Sequence, residues 1–181
     1  MTRYILTLIL FSFIQITNSN AAVTVFGDTD AATCYNHAKQ GYSSRSSINI
    51  CINSLSEKPS VEAHVYATRV NLGIIYNNGR KPNLALEQFD IAIKYESIKA
   101  ETLLNQGNSL YLLKDFTGAL SKYDEALENN IKDISSVYFN KGLVFEKMGN
   151  TQDAIVFYKK AVSINPDLMM RFDERIRLDK S

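Results

Sequence analysis

The sequence predicts an all-α fold, a right-handed solenoid of stacked helical hairpins closed by a C-terminal cap helix. Three observations carry this. Four residue columns recur at a common interval: glycine at Gly73, Gly107 and Gly142; alanine at Ala85, Ala119 and Ala154; an aromatic at Phe89, Tyr123 and Tyr158; and a second alanine at Ala92, Ala126 and Ala161. The glycine column runs from 73 to 107 to 142, an interval of 34 and then 35 residues, and the other three keep the same steps. Helix breakers fall once inside each interval, at Asn77–Pro82, at Lys114–Asp115 and at Gly149–Thr151. A period of about 34 residues holding two helices and a turn is the signature of a helical repeat array.

The residue types follow from close packing. A glycine inside a helix costs roughly 1 kcal/mol against alanine, so three glycines midway along three first helices mark places where another helix comes close. The paired alanines lie seven residues apart on each second helix and share a face. The aromatic between them is expected to fill the gap between successive hairpins. One hairpin cannot bury this face alone, so stacking makes the cooperative unit.

Taken in order, the chain opens with Met1-Thr-Arg-Tyr, an apolar-dominated run from Ile5 to Ile16, and then Thr17-Asn-Ser-Asn-Ala-Ala. A basic start, a short apolar run and small residues after it describe a secretory signal peptide over residues 1–21, with cleavage expected after Ala21 by the Ser19-Asn20-Ala21 pattern. The alternative is a retained anchor, although the run is short of the roughly 20 residues a spanning helix prefers. After cleavage no stable membrane insertion is expected. Residues 22–61 are expected to form an N-terminal helical hairpin. Within it, Asp28 to Val61 can be aligned as a degenerate repeat, with Tyr35 in the glycine column, Ser47 and Ser54 in the alanine columns, Cys51 in the aromatic column and Pro59 after them. Residues 62–181 then hold three repeats, at about 66–99, 100–133 and 135–168, and a cap helix whose apolar stripe is Leu168, Met169, Phe172 and Ile176.

The best copy, Ser135 to Leu168, carries Tyr138, Gly142, Phe145, Ala154, Tyr158, Ala161 and Pro166. The copy before it has Gly107, Ala119, Tyr123 and Ala126, with Ile131 in place of the proline. The first has Leu72, Gly73, Tyr76, Ala85, Phe89 and Ala92, with Arg69 in place of the early aromatic and Ser97 in place of the proline. On these residues the chain resembles the tetratricopeptide repeat family over about 100 residues. The resemblance implies a protein-interaction module rather than an enzyme.

Charge and cysteines narrow the function further. The chain has 20 basic and 19 acidic side chains, and losing residues 1–21 removes Arg3 and no acid, leaving 19 of each. A neutral chain with no basic stripe excludes phosphate-backbone tracking, so nucleic acid is not an expected partner. Cys34 and Cys51 are its two cysteines. An even count in an exported chain suggests pairing, and the two stand symmetrically about the expected turn at Gly41–Ser44. Two buried free thiols are the alternative. No nucleophile, phosphate-binding or metal motif emerges: His37 and His64 are isolated, and Cys34 with His37 offers too few ligands. No enzyme activity, cofactor or metal is expected. Asp115, Asp124 and Glu125 are most simply solvated, although Asp115 or Thr151 could cap a second helix.

Candidate binding residues come from one further column. Asn71, Asn105 and Asn140 each stand two residues before a repeat glycine. An amide offers both a donor and an acceptor, and can grip a peptide backbone without reading its sequence. The family resemblance implies the same use at this place. Val70, Leu104 and Phe139, just before the asparagines, and Ile74, Asn108 and Leu143, one turn later, complete an expected groove of largely apolar character, with packing inside the solenoid the alternative, expected for at least half of the apolar members. Relatives that clamp a C-terminal carboxylate use lysine and arginine at these places, which are missing here. The expected partner is therefore a protein or peptide segment held in the concave groove of an exported, most simply periplasmic, adaptor or assembly factor. Self-association, with the groove empty or filled by the chain's own ends, is the rival.

Overall fold

The computed structural model describes residues 21–23, 29–56 and 62–178; the expected signal peptide up to residue 20, Pro59 and the side chain of Ile176 lie outside the described residues. Among the described residues nine α-helices follow one another: α1 Thr29–Lys39, α2 Arg45–Ser56, α3 Glu62–Asn78, α4 Pro82–Ala92, α5 Lys99–Leu112, α6 Phe116–Glu128, α7 Ile134–Lys147, α8 Thr151–Ile164 and α9 Met169–Leu178. Single turns of 3-10 helix, Glu96–Ile98 and Pro166–Leu168, precede α5 and α9.

The helices pack as hairpins, α1 with α2, α3 with α4, α5 with α6 and α7 with α8. Each hairpin meets the next in two ways. The first helices stack in a row, α1 on α3, α3 on α5 and α5 on α7, while each second helix rests on the following first helix. A stack held by neighbour contacts is what a repeat array requires.

The glycine column explains how each hairpin closes. A Cβ on Gly73 or Gly107 would overlap the ring of Phe89 or Tyr123, and one on Gly142 would lie 2.5 Å from Cδ1 of Tyr158. Each ring therefore lies on the glycine of its own hairpin, rather than in the gap between hairpins as expected. The reason is that residues 16 apart in a helix–turn–helix of this length come to the same height across the turn. Ala85, Ala92, Ala119, Ala126, Ala154 and Ala161 are all buried beside those rings.

The first hairpin keeps the same columns with other chemistry. Ser47, Cys51 and Ser54 are the buried face of α2, where later hairpins bury alanine, aromatic and alanine. Cys51 is bonded to Cys34, with Cα atoms 5.1 Å apart and 17 residues between them in sequence. The disulfide stands where the other hairpins seat a ring on a glycine.

Turn geometry repeats as well. Arg80, Lys114 and Gly149 all have positive φ, of 54°, 66° and 79°, one conformation in one register. Asp115 caps α6, its side chain accepting from the Gly118 N–H. Asn150, not Thr151, caps α8 by accepting from the Asp153 N–H. Lys81 holds the equivalent place before α4 and makes no side-chain cap; Pro82 follows it. At the far end, Phe172 of α9 meets Tyr158 edge-on at 6.3 Å. The Arg171 guanidinium lies 4.2 Å from the centre of the Phe139 ring. Met169 is 48% exposed and does not join the apolar stripe.

Candidate functional site

The row α3, α5, α7 sets Asn71, Asn105 and Asn140 at equivalent places, one per hairpin, and all three are buried, at 0%, 0% and 1% exposure. Partial exposure was expected. For the first two, the difference comes from the chain itself, because residues 21–23 lie against them. The Val23 N–H donates to Asn71 Oδ1 at 2.9 Å, and Asn71 Nδ2 donates to the Val23 carbonyl at 2.7 Å. The Ala21 N–H donates to Asn105 Oδ1 at 3.4 Å, and Asn105 Nδ2 donates to the Ala21 carbonyl at 3.0 Å. A second bond from Asn105 Nδ2 to the Glu101 carbonyl, at 2.9 Å, fixes that amide's orientation.

This pairing is strand-like. In an extended segment a residue's N–H and C=O point to the same side, and the next-but-one residue repeats the arrangement. Each asparagine amide stands in for the facing residue of a β-ladder, so two asparagines on successive hairpins take residues i and i+2 of one segment. The contact uses no side-chain atoms of the segment, whose three residues are half-buried. Its side chains are small: Val23 packs against Ala31 and Ala67, and Ala21 against the core around Leu104 and Tyr123. Beside it opens a cleft of about 560 Å³, lined by Ala21, Ala22, Tyr35, Lys39, Glu101, Lys132 and Asp133 among others. Its charged lining is balanced, Lys39 and Lys132 against Glu101 and Asp133.

Asn140 and Asn108 are arranged differently. Asn140 Nδ2 donates to Asn108 Oδ1 at 2.8 Å, and the Tyr123 hydroxyl donates to the same oxygen at 2.9 Å. Burial raises the Tyr123 phenol well above its ordinary range, with Tyr111 adding to the effect, so the hydroxyl remains a donor throughout the physiological range. The Asn108 carbonyl thus ties its own hairpin to the next. The apolar groove candidates are corrected in favour of the packing alternative. Val70, Leu104 and Phe139 are 0%, 0% and 1% exposed, and Ile74 and Leu143 are 0% and 1%. They belong to the packed interior; Val70, Leu104 and Phe139, adjacent to the asparagines, are turned about 100° away from them on a helix.

Asp124 is not simply solvated. It accepts from Lys141 Nζ at 2.5 Å, across the junction of two hairpins. Gln106 makes the same reach one repeat earlier, donating to Asp90 at 2.8 Å. Residues 106 and 141 share a column, as do 90 and 124, so this polar tie recurs; the sequence columns contained it, although the pairing was not anticipated. The rival reading allowed the chain's own ends in the groove, but not that residues 21–23 would be the occupant, since no local pattern links Val23 to a residue 48 positions away. Among the described residues no group of three or more His, Cys, Asp or Glu side chains could hold a metal, and no helix is long and apolar enough to cross a membrane.

Residues 135–168 match the tetratricopeptide repeat family model. Those residues form a tetratricopeptide repeat. This repeat protein is 24% identical over 149 residues to the type IV pilus assembly protein PilF of Pseudomonas aeruginosa; the match covers 82% of this chain and 59% of that protein. The chain therefore spans less than two thirds of that relative's length. Among solved structures it resembles MamA, with a TM-score of 0.57 and 22% identity over 78% of this chain and 77% of that one. It also resembles the structure from a functional characterisation of Pseudomonas aeruginosa PilF, with a TM-score of 0.61 and 22% identity over 81% of this chain and 69% of that one. At such identities these likenesses speak for the fold.

Proposed function

We propose that this repeat protein is an exported adaptor or assembly factor that holds an extended segment of another protein along the row of first helices, using Asn71 and Asn105 as backbone clamps. The observation that carries the reading is the donor–acceptor pair that each asparagine makes with a strand-like segment. Such pairs recognise backbone and direction, leaving side chains free to vary. The Cys34–Cys51 bond supports an oxidising compartment, most simply a periplasm. That the pilus relative is an assembly protein supports a scaffold more than a catalyst.

In-cell crosslinking of the tagged protein, followed by mass spectrometry, should recover a partner whose capture falls by roughly one and a half to four orders of magnitude when Asn71 and Asn105 both become alanine and four hydrogen bonds are lost. That range follows from net contributions of about 0.5–1.5 kcal/mol per lost hydrogen bond. Lys159→Ala is the control. Lys160 is unsuitable because its ammonium lies over the Tyr138 and Phe157 rings at 5.6 and 5.2 Å. Undiminished capture by the double variant would place the interface elsewhere.

A further inference from the structure

We propose that the segment Ala21–Val23 is a built-in occupant of the asparagine clamps, which a partner's backbone must displace, so that the chain's own N-terminal segment regulates access to the site. The inference rests on the backbone-clamp reading above and adds a competitor to it: Ala21 and Val23 in the uncleaved chain, and Val23 alone once the expected cleavage after Ala21 has taken place.

Three observations support it. Both amides are fully engaged by this segment, each giving a donor and an acceptor to one residue. A second peptide cannot use either amide in the same way while the segment is seated. The hold is also replaceable. It consists of main-chain pairs and three small side chains, and the segment is half-buried rather than enclosed. Any extended backbone of either origin could make the same four bonds. Finally, the segment is tethered. Only residues 24–28 separate Val23 from the start of α1 at Thr29, and a short tether presents its end at an effective concentration of about a millimolar. An internal segment at that concentration outcompetes a free peptide of similar intrinsic affinity until the free peptide reaches comparable levels. The structure also states what a competitor should look like: an extended stretch with small side chains at alternate positions, where Ala21 and Val23 sit.

The test uses the full chain and a labelled peptide, Ser-Asn-Ala-Ala-Val-Thr-Val, the sequence of residues 19–25. Val23→Pro removes the N–H given to Asn71 at a residue outside every helix. Fluorescence anisotropy should show the peptide binding this variant about tenfold more tightly than the parent, as release of a tethered competitor predicts. Adding Asn71→Ala and Asn105→Ala to Val23→Pro should abolish that binding. Independently of any folding effect of proline, amide exchange at Val23 in the parent should be slowed about tenfold relative to Asn71→Ala.

Equal peptide affinity for the parent and Val23→Pro, or unprotected Val23 in the parent, would overturn the proposal. So would a parent whose mass rises with concentration and falls on Val23→Pro, since the occupant would then come from a second copy. If Val23→Pro gains no peptide while Asn71→Ala with Asn105→Ala still loses the crosslinked partner, the built-in competitor is wrong and the clamp reading stands. If peptide and partner both survive loss of the asparagines, the clamp reading itself falls.

Discussion

Lys81, Asp115 and Asn150 occupy one place in three successive hairpins, and the last two each satisfy a backbone N–H of the helix that follows. Lys81 does not. Lys81→Asp should let the new carboxylate accept from the Leu84 N–H, as Asp115 does from Gly118. An N-cap of this kind is worth about 1 kcal/mol, so chemical denaturation should show the variant more stable by that amount. An unchanged midpoint would mean that Pro82 already satisfies this helix start. Asp133 caps α7 by the same geometry, accepting from the Ser136 N–H and from the Ser135 and Ser136 hydroxyls. Partial burial works to raise its carboxyl, yet those three bonds outweigh it and hold the carboxyl below its ordinary 3.8. A depressed folded-state value stabilises the fold at pH above 3.8, and that stabilisation is lost as pH falls through the lower folded value. Asp133→Asn should therefore flatten the acid limb of stability below about pH 4 while leaving its shape near neutrality unchanged. Capping was legible in the sequence as polar residues at turns. Which residue caps, Asn150 rather than Thr151, followed from the left-handed turn at Gly149.

At the level of the hairpin, each repeat closes by seating a ring on a glycine, and the first closes with a disulfide instead. Gly142→Ala separates two principles. Helix propensity favours alanine by about 1 kcal/mol, but the added Cβ would lie 2.5 Å from the Tyr158 ring, and overpacking costs about 1–3 kcal/mol. We expect the sign to follow packing, with a lower melting temperature for Gly142→Ala, largely restored by shrinking the ring in Gly142→Ala with Tyr158→Leu. A stabilised single variant would show that the ring moves freely. In the first hairpin, where Ser47 and Ser54 replace alanines and no ring is available, Cys51→Ser should lower stability by about 3 kcal/mol on the chain-entropy account. Hydrogen exchange should show that loss concentrated in α1 and α2. Two alkylatable thiols in protein isolated from its host would refute the pairing there.

Across the whole molecule, stability passes from neighbour to neighbour, and the row of first helices offers backbone clamps on two successive hairpins, at Asn71 and Asn105. Its two backbone pairs bracket the expected cleavage position. Cleavage after Ala21 would remove the residue held by Asn105 and leave Val23 held by Asn71. Intact mass of the protein purified from its host should give a chain beginning at Ala22. In that form amide exchange should protect Val23 and not the Asn105 end of the row. A species retaining Met1 in a membrane fraction would sink the expectation of cleavage and leave both clamps engaged.

The sequence by itself determined the repeat period, the helical hairpins, the glycine and aromatic columns, and the asparagine register. These are local patterns, or patterns with a fixed step, and packing in an array of equal units must repeat with that step. It also marked the cysteines as a symmetric pair about Gly41. Only the tertiary structure decided which ring lies on which glycine and that Val70, Leu104 and Phe139 belong to the core. It also showed Asn108 and Asn140 bonded to each other and Ala21–Val23 occupying the clamps of Asn71 and Asn105. Each of those depends on how far one helix is rotated against its neighbour, or on where a segment without a repeat pattern comes to rest. A contact spanning 48 or 84 residues, made by main-chain atoms that every residue shares, leaves no mark in the order of side chains.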